Sequence, residues 1–248
     1  MKALLNTWQL RLGVALVVLS IAGYVIHYAI FRDAHHIFLY LVGDIAFVFL
    51  EVLMVTLIIH ELLSRREKRQ RMEKMNMVIG AFFSEVGTNL LRQFSEWDKG
   101  LGEMRERLKV TTLWSEEQFD EVALAMKGHT YRIDSGRLDV GALRAILEES
   151  DEFLLRLMEN PNLLEHERFT SLLMATFHFT EELLARKGQD ELPESDIRHL
   201  AGDADRVYGQ LSRFWLDYMR YLKKHYPYLF SLAVRTNPFD RSATAIVH

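Results

Sequence analysis

The sequence predicts an all-α protein: a two-helix transmembrane hairpin followed by a cytoplasmic helical bundle. Three observations predict it. Two long apolar runs stand back to back before Glu61. Beyond them charged residues become frequent, with apolar residues recurring three and four apart. Breakers are scarce, with 4 Pro and 13 Gly among 248 residues, while the helix formers Leu, Glu, Arg and Met abound.

The first apolar run, Leu12 to Phe31, is bracketed by Arg11 and Arg32. At 1.5 Å per residue it spans roughly 30 Å, the thickness of the bilayer hydrocarbon. A signal peptide would have a core of only about 7–15 residues and a small-residue cleavage site after it. The second run, His36 to His60, follows a connection of only Arg32–His35, so the two helices are expected to be antiparallel neighbours. Lys2 and Arg11 precede the hairpin, and Arg65, Arg66, Lys68, Arg69, Arg71 and Lys74 follow it. The intervening loop has Arg32 opposed by Asp33. The positive-inside rule then orients both termini to the cytoplasm, as in a multi-pass protein of the inner (plasma) membrane. Trp8 and Tyr40 suit the two interfaces. The six basic residues of 64–74 also suit contact with anionic lipid.

Asp44 and Glu51 lie inside the second run. They are seven residues apart, within about 20° of one helix face. Asp44 is about 12 Å and Glu51 about 22 Å from the outer end of the helix. A carboxylate at that depth costs at least ~2.5–3.5 kcal/mol and calls for a partner or a task. Tyr40 lies one turn from Asp44, and His27 of the first helix is expected level with Tyr40 and within reach of Asp44. This polar face, Asp44, Glu51, Tyr40 and His27, has three readings: a cation pathway between protomers, an interhelical hydrogen-bonded seam, or a contact with another membrane protein. Gly13, Gly23 and Gly43 permit close helix contact.

No Gly or Pro interrupts Glu61 to Ser84, so the second helix is expected to continue beyond the membrane and couple the two parts mechanically. Met72, Met75, Val78, Ile79, Phe82, Phe83, Val86 and Leu90 then form an apolar face. Further helices are expected over Ser84–Lys99, from the capping box Ser115–Gln118 to about Lys127, from an Asp139 cap to about Glu159, and from Leu163 to Lys187. Gly128–Leu138 reads as loop or a short extended piece, and Asn160–Asn162 as a turn. Ser195 is a plausible cap for the last long helix. There Ile197, Leu200, Ala204, Val207, Leu211, Phe214, Tyr218 and Tyr221 make a coiled-coil-like seam, in part available to a second copy. Asp139–Lys224 reads as a three-helix unit completed to four by an upstream helix. Pro227 should break the last helix, and the aromatic segment 225–240 is expected to pack on the bundle. The domains read as 1–63 hairpin, 64–110 juxtamembrane and connecting helix, 111–240 bundle and 241–248 disordered tail.

With no Cys there is no disulfide and no thiolate ligand, and the net charge of −4 argues against nucleic acid as a partner. His178 with Glu181, and His199 with Asp203, have the spacing of metal-ligand pairs on a helix. Both fall beside the apolar seam and read as solvated faces, as does His166 between Glu165 and Glu167, so no metal and no cofactor are expected. No phosphate loop, nucleophile elbow or zincin motif is present. These readings imply a non-enzymatic, oligomeric membrane protein. Its helical domain would dock, sense or assemble, with lipid, a second copy and a membrane or cytoplasmic protein as partners. The alternative is a small cation channel or transporter subunit with Asp44 and Glu51 lining the pathway.

Overall fold

The computed structural model describes residues 7–160, 163, 166–189 and 191–247, and among these all regular structure is helical, with no strand. By its contacts the chain divides into two units, Met1–Lys68 and Arg69–His248.

The first unit holds α1 (Thr7–Phe31) and the beginning of α2 (Ala34–Phe82). The connection is Arg32–Asp33, shorter than expected, because Asp33 caps α2: its Oδ1 accepts from His36 N at 3.1 Å. Arg32 takes the left-handed conformation, φ 54°, and its N–H still closes on Tyr28 O at 2.9 Å. Among the described residues two helices are long and apolar enough to cross a membrane, and nothing in their most apolar windows is buried. Around α1 and the first part of α2 large apolar side chains stand exposed on every side, up to 76% for Phe49. The helices leave space at Gly13, Gly23 and Gly43, where an added Cβ would meet nothing within 4 Å.

In the second unit α2 runs uninterrupted past the basic segment to Phe82 and enters a π turn, Phe83–Gly87, before α3 (Thr88–Trp97). The π turn answers a packing problem. Phe82 and Phe83 are adjacent yet both buried, with Val86, Leu90, Leu91 and Phe94 beyond them. One extra residue in the turn rotates the helix so that a single stripe can hold them all. Gly87 makes this possible, since a Cβ there would come within 2.8 Å of the Phe83 ring. A single α–π–α helix therefore replaces the separate Ser84–Lys99 helix expected. Met72, expected on its buried face, is exposed.

The rest of the unit is α4 (Gly102–Arg107), α5 (Glu116–Gly128), α6 (Val140–Met158), α7 (Glu167–Leu184), α8 (Glu194–His225) and α9 (Pro227–Arg235). Helices α6, α7 and α8 pack in succession, α3 closes against α6 and α8, and α5 and α9 lie on α8. Local chemistry sets most of the starts. Ser115 and Gln118 exchange both bonds of a capping box, and Asp139 Oδ1 accepts from Ala142 N at 2.8 Å. Helix α7 starts later than expected because His166 caps it, its Nδ1 accepting from Phe169 N at 3.1 Å. The predicted turn at Asn160–Asn162 falls partly outside the described residues, at Pro161 and Asn162. Ser195 is not a cap: Pro193 precedes the helix, and its carbonyl already accepts from Asp196 N and Ile197 N. Pro227 ends α8 and opens α9 at its first turn.

Helix α8 is the centre of this unit. Beside the predicted seam it buries Asp203, Tyr208, Ser212, Trp215 and Met219. That band is wider than a two-stranded seam and is spent on neighbours within the unit, while Ile197, Tyr218 and Tyr221 are half-buried. Aromatic rings knit the core: Phe82 meets Phe169 edge-on at 5.5 Å, Phe169 meets Phe214 at 5.7 Å, and Phe94 lies 5.5 Å from Tyr208.

Candidate functional site

The short turn decides which polar residues of the hairpin meet. It folds α2 back so that Ser20, Tyr24 and His27 of α1 face His36, Ile37 and Tyr40 around a cleft of about 370 Å³. His27 stacks on His36, with ring centres 6.0 Å apart, and His36 lies 4.6 Å from Tyr40. His27 Nδ1 is buried without a hydrogen-bond partner among the described residues. His27 and Tyr40 thus share the cleft, and the residue between them is His36, which the sequence reading did not single out. Its signal was present: it stands one turn before Tyr40, beside the loop. Asp44 and Glu51 are outside the cleft. Both are exposed, and among the described residues neither makes a hydrogen bond or ion pair. His27 meets His36 rather than standing level with Tyr40 and within reach of Asp44, and the connection has two residues rather than four.

In the basic segment Arg65 bonds Glu61 at 2.7 Å and Arg69 bonds Glu73 at 3.1 Å, ordinary i,i+4 pairs. Arg66, Lys68 and Lys74 are exposed with no ion pair among the described residues. Lys2 and the side chain of Arg71 lie outside what the structure describes.

The second unit has a polar hollow that the sequence did not announce. Asp98 ends α3 with its side chain inside; Oδ1 accepts from Gly100 N at 2.8 Å and Oδ2 is buried without a partner. Burial pushes its pKa up, against the opposing pull of the Gly100 bond, of the Arg132 backbone and of nearby His129 and Arg105. A hollow of about 580 Å³ opens beside it, lined by Asp98, Lys99, Thr130, Arg132 and Asp134, where Lys99 pairs with Asp134. Beneath it Tyr131 packs edge-on to Tyr208 at 4.8 Å, and burial pushes both phenols up. Such a hollow suits ordered water.

Among the histidine pairs of the sequence, His166 is a helix cap, and Glu165 lies outside the described residues. His178 and His199 are exposed as expected, but Asp203 is not in water: its side chain is 5% exposed, turned between α8 and α7. The carboxylate nearest His178 on its own helix is Glu182, one turn on, and Glu181 points outward.

Two family models match the chain. Residues 2–63 match the family described as MJ1433, N-terminal helical domain, and residues 71–235 match the family described as uncharacterized protein MJ1433, C-terminal helical domain. The chain is 44% identical over 239 residues to uncharacterized protein MJ1433 of Methanocaldococcus jannaschii, covering 96% of each. No solved structure matches it.

Proposed function

We propose that this chain, which belongs to the MJ1433 family, is a non-enzymatic, two-span integral membrane protein whose helical unit serves as a docking, sensing or assembly module. The observation that carries this reading is the uncovered hairpin. A helix apolar on all sides needs either a protein core or lipid around it. A core helix is mostly buried, and no residue in the apolar window of either candidate span is buried. Lipid is the environment that fits, and water would expose an apolar surface far beyond what a soluble monomer tolerates. The charge distribution supports cytoplasmic termini, with Arg66, Lys68 and Lys74 free to meet anionic headgroups.

Oligomerisation through the hairpin is part of the proposal. The open space at Gly13, Gly23 and Gly43 and the lack of a partner for Asp44 and Glu51 leave faces for a second copy. Crosslinking in cells, followed by mass measurement in mild detergent, tests it. A discrete oligomer is expected; a monomer with no crosslinked partner would defeat the assembly role.

The same unpartnered carboxylates favour a second reading, a cation pathway lined by Asp44 and Glu51. Glu51→Gln should then abolish cation flux in proteoliposomes or change its selectivity while leaving the oligomer intact. Unchanged flux removes Glu51 from any pathway.

A further inference from the structure

Helices α7 and α8 run antiparallel on either side of the turn at Gly188, which adopts φ 86°. Each carries a histidine and a carboxylate four residues apart, so each pair projects from one face of its helix. The antiparallel register sets the pairs against each other in opposite order. His199 Nε2 lies 3.4 Å from Asp203 Oδ2 on its own helix and 3.6 Å from Glu182 Oε2 across the gap. His178 Nε2 lies 4.0 Å from Glu182 Oε1 on its own helix and 4.0 Å from Asp203 Oδ2 across it. The donor atoms of Glu182, His199 and Asp203 all lie within 4.8 Å of one another.

We propose that His178, Glu182, His199 and Asp203 form a site for one divalent transition-metal ion of the zinc class, which ties α7 to α8. The distances fit this chemistry. Ligands about 2.0–2.1 Å from a tetrahedral ion stand roughly 3.3–3.4 Å from one another. The shortest separation, 3.4 Å, stands at that value; the other contacts, 3.6 to 4.0 Å, and the widest spacing of up to 4.8 Å need inward shifts of about 0.2 Å to more than about 1 Å, which rotation of the half-exposed histidine side chains supplies. Two imidazoles with two carboxylates, and no thiolate, select zinc and its neighbours over calcium or magnesium, which take all-oxygen shells.

A second observation points to the same ion. Asp203 is buried, and its Oδ2, aimed at the two histidines, has no hydrogen-bond partner. Leaving a carboxylate oxygen in that state is costly unless something positive meets it. Its other oxygen, Oδ1, is held by Arg206 Nη1 at 3.1 Å, which fixes the orientation of the carboxylate. Glu182 is supported in the same way. Arg186 Nη1 bonds its Oε2 at 2.6 Å, and the guanidinium is itself clamped by Asp196 at 2.6 and 2.8 Å. This bond to Arg186 holds the Glu182 carboxyl below the usual range, ionised as a ligand must be, with Oε1 left toward His178. Orienting contacts of this kind are the usual outer shell of a metal site. The site is a metal clip between helices and needs no catalytic role.

The test is a titration of the full-length, tag-free chain in detergent with Zn2+, and in parallel with Co2+, whose visible absorption distinguishes tetrahedral from octahedral coordination. Other histidines, His35 and His36 among them, supply weak background binding, so the reading is the difference from His178→Ala/His199→Ala. Both of those residues are half-exposed, so their replacement should leave the fold intact. One tight equivalent of Zn2+ per chain and a tetrahedral Co2+ spectrum are expected in the wild type. The double variant and Asp203→Asn should each weaken binding by at least about a hundredfold. Glu181→Gln, on the outward side of α7, should leave it unchanged. Zn2+ should also raise the unfolding midpoint of the wild type and not that of the double variant. Equal Zn2+ binding by wild type and double variant, or an octahedral Co2+ spectrum in both, overturns the proposal. In that case the cluster is an ion-pair network only.

Discussion

Asp98 and Asp203 are both buried residues with one carboxylate oxygen unpaired, and they differ in what surrounds them. Asp203 faces two imidazoles. Asp98 faces the backbone of Gly100 and a hollow, and burial raises its pKa. A carboxyl whose folded pKa exceeds its unfolded value contributes stability when protonated. That contribution is fully present below the unfolded value, about 3.9, and is lost as pH rises through the folded value. Asp98→Asn keeps an acceptor for Gly100 N and cannot ionise. Its stability relative to wild type should therefore grow as pH is raised from about 4 to 7. Thermal unfolding of the two proteins across that range checks the sign; a variant that loses ground with rising pH contradicts it. Neither aspartate's burial was legible in the sequence. A charged residue next to an apolar seam normally faces water, and only the identity of the opposing helix reverses that. The caps at Ser115 and Asp139 were legible because their chemistry lies within three residues of chain. His166 was not, since histidine is an uncommon cap.

The C-terminal element shows how a short segment can be structural without being long. After α9, Asn237 turns inward. Its Nδ2 donates to Leu108 O at 2.8 Å, and its Oδ1 accepts from Phe239 N at 2.9 Å. Phe239 is then seated against Trp215, with ring centres 5.0 Å apart, and Ser95 Oγ donates to Pro238 O. Arg241 closes the hook on Glu96 at 2.6 Å, which, with Arg105, holds that carboxyl low. Asn237→Ala strands the Phe239 N–H and removes one of two bonds to Leu108 O, which still accepts from Val110 N, and should cost about 1–3 kcal/mol. Thr236→Ala removes only an exposed bond to Leu232 and should be close to neutral. Thermal denaturation of both variants checks the contrast, and equal midpoints would mean the hook carries no stability. The sequence indicated the break at Pro227 and the packing of this segment, since both follow from proline and aromatic content. The bond of Asn237 to Leu108 was beyond it, because it joins residues 129 apart. The π turn escaped for a similar reason: helical periodicity assumes an unbroken 3.6-residue repeat, and adjacent Phe82 and Phe83 are the one hint that it is broken.

At the scale of the molecule, the all-helical character was written in composition and periodicity, and both halves match helical families. The predicted seam of α8 was real as a stripe, but four neighbours inside the unit use it, a number that periodicity does not encode. The functional reading rests on the first unit, where, among the described residues, the large apolar side chains of both helices are mostly exposed. The absence of cysteine makes its setting directly measurable. The decisive measurement is labelling of single-cysteine variants in intact cells with a membrane-impermeant maleimide, at exposed His35→Cys beside the hairpin turn and Thr244→Cys near the other end. Two-span insertion with cytoplasmic termini predicts that His35→Cys is labelled from outside and Thr244→Cys only once the membrane is opened, with both chains retained in membranes at alkaline pH. Both positions labelled from the same side, or a chain released into the soluble fraction, would contradict it.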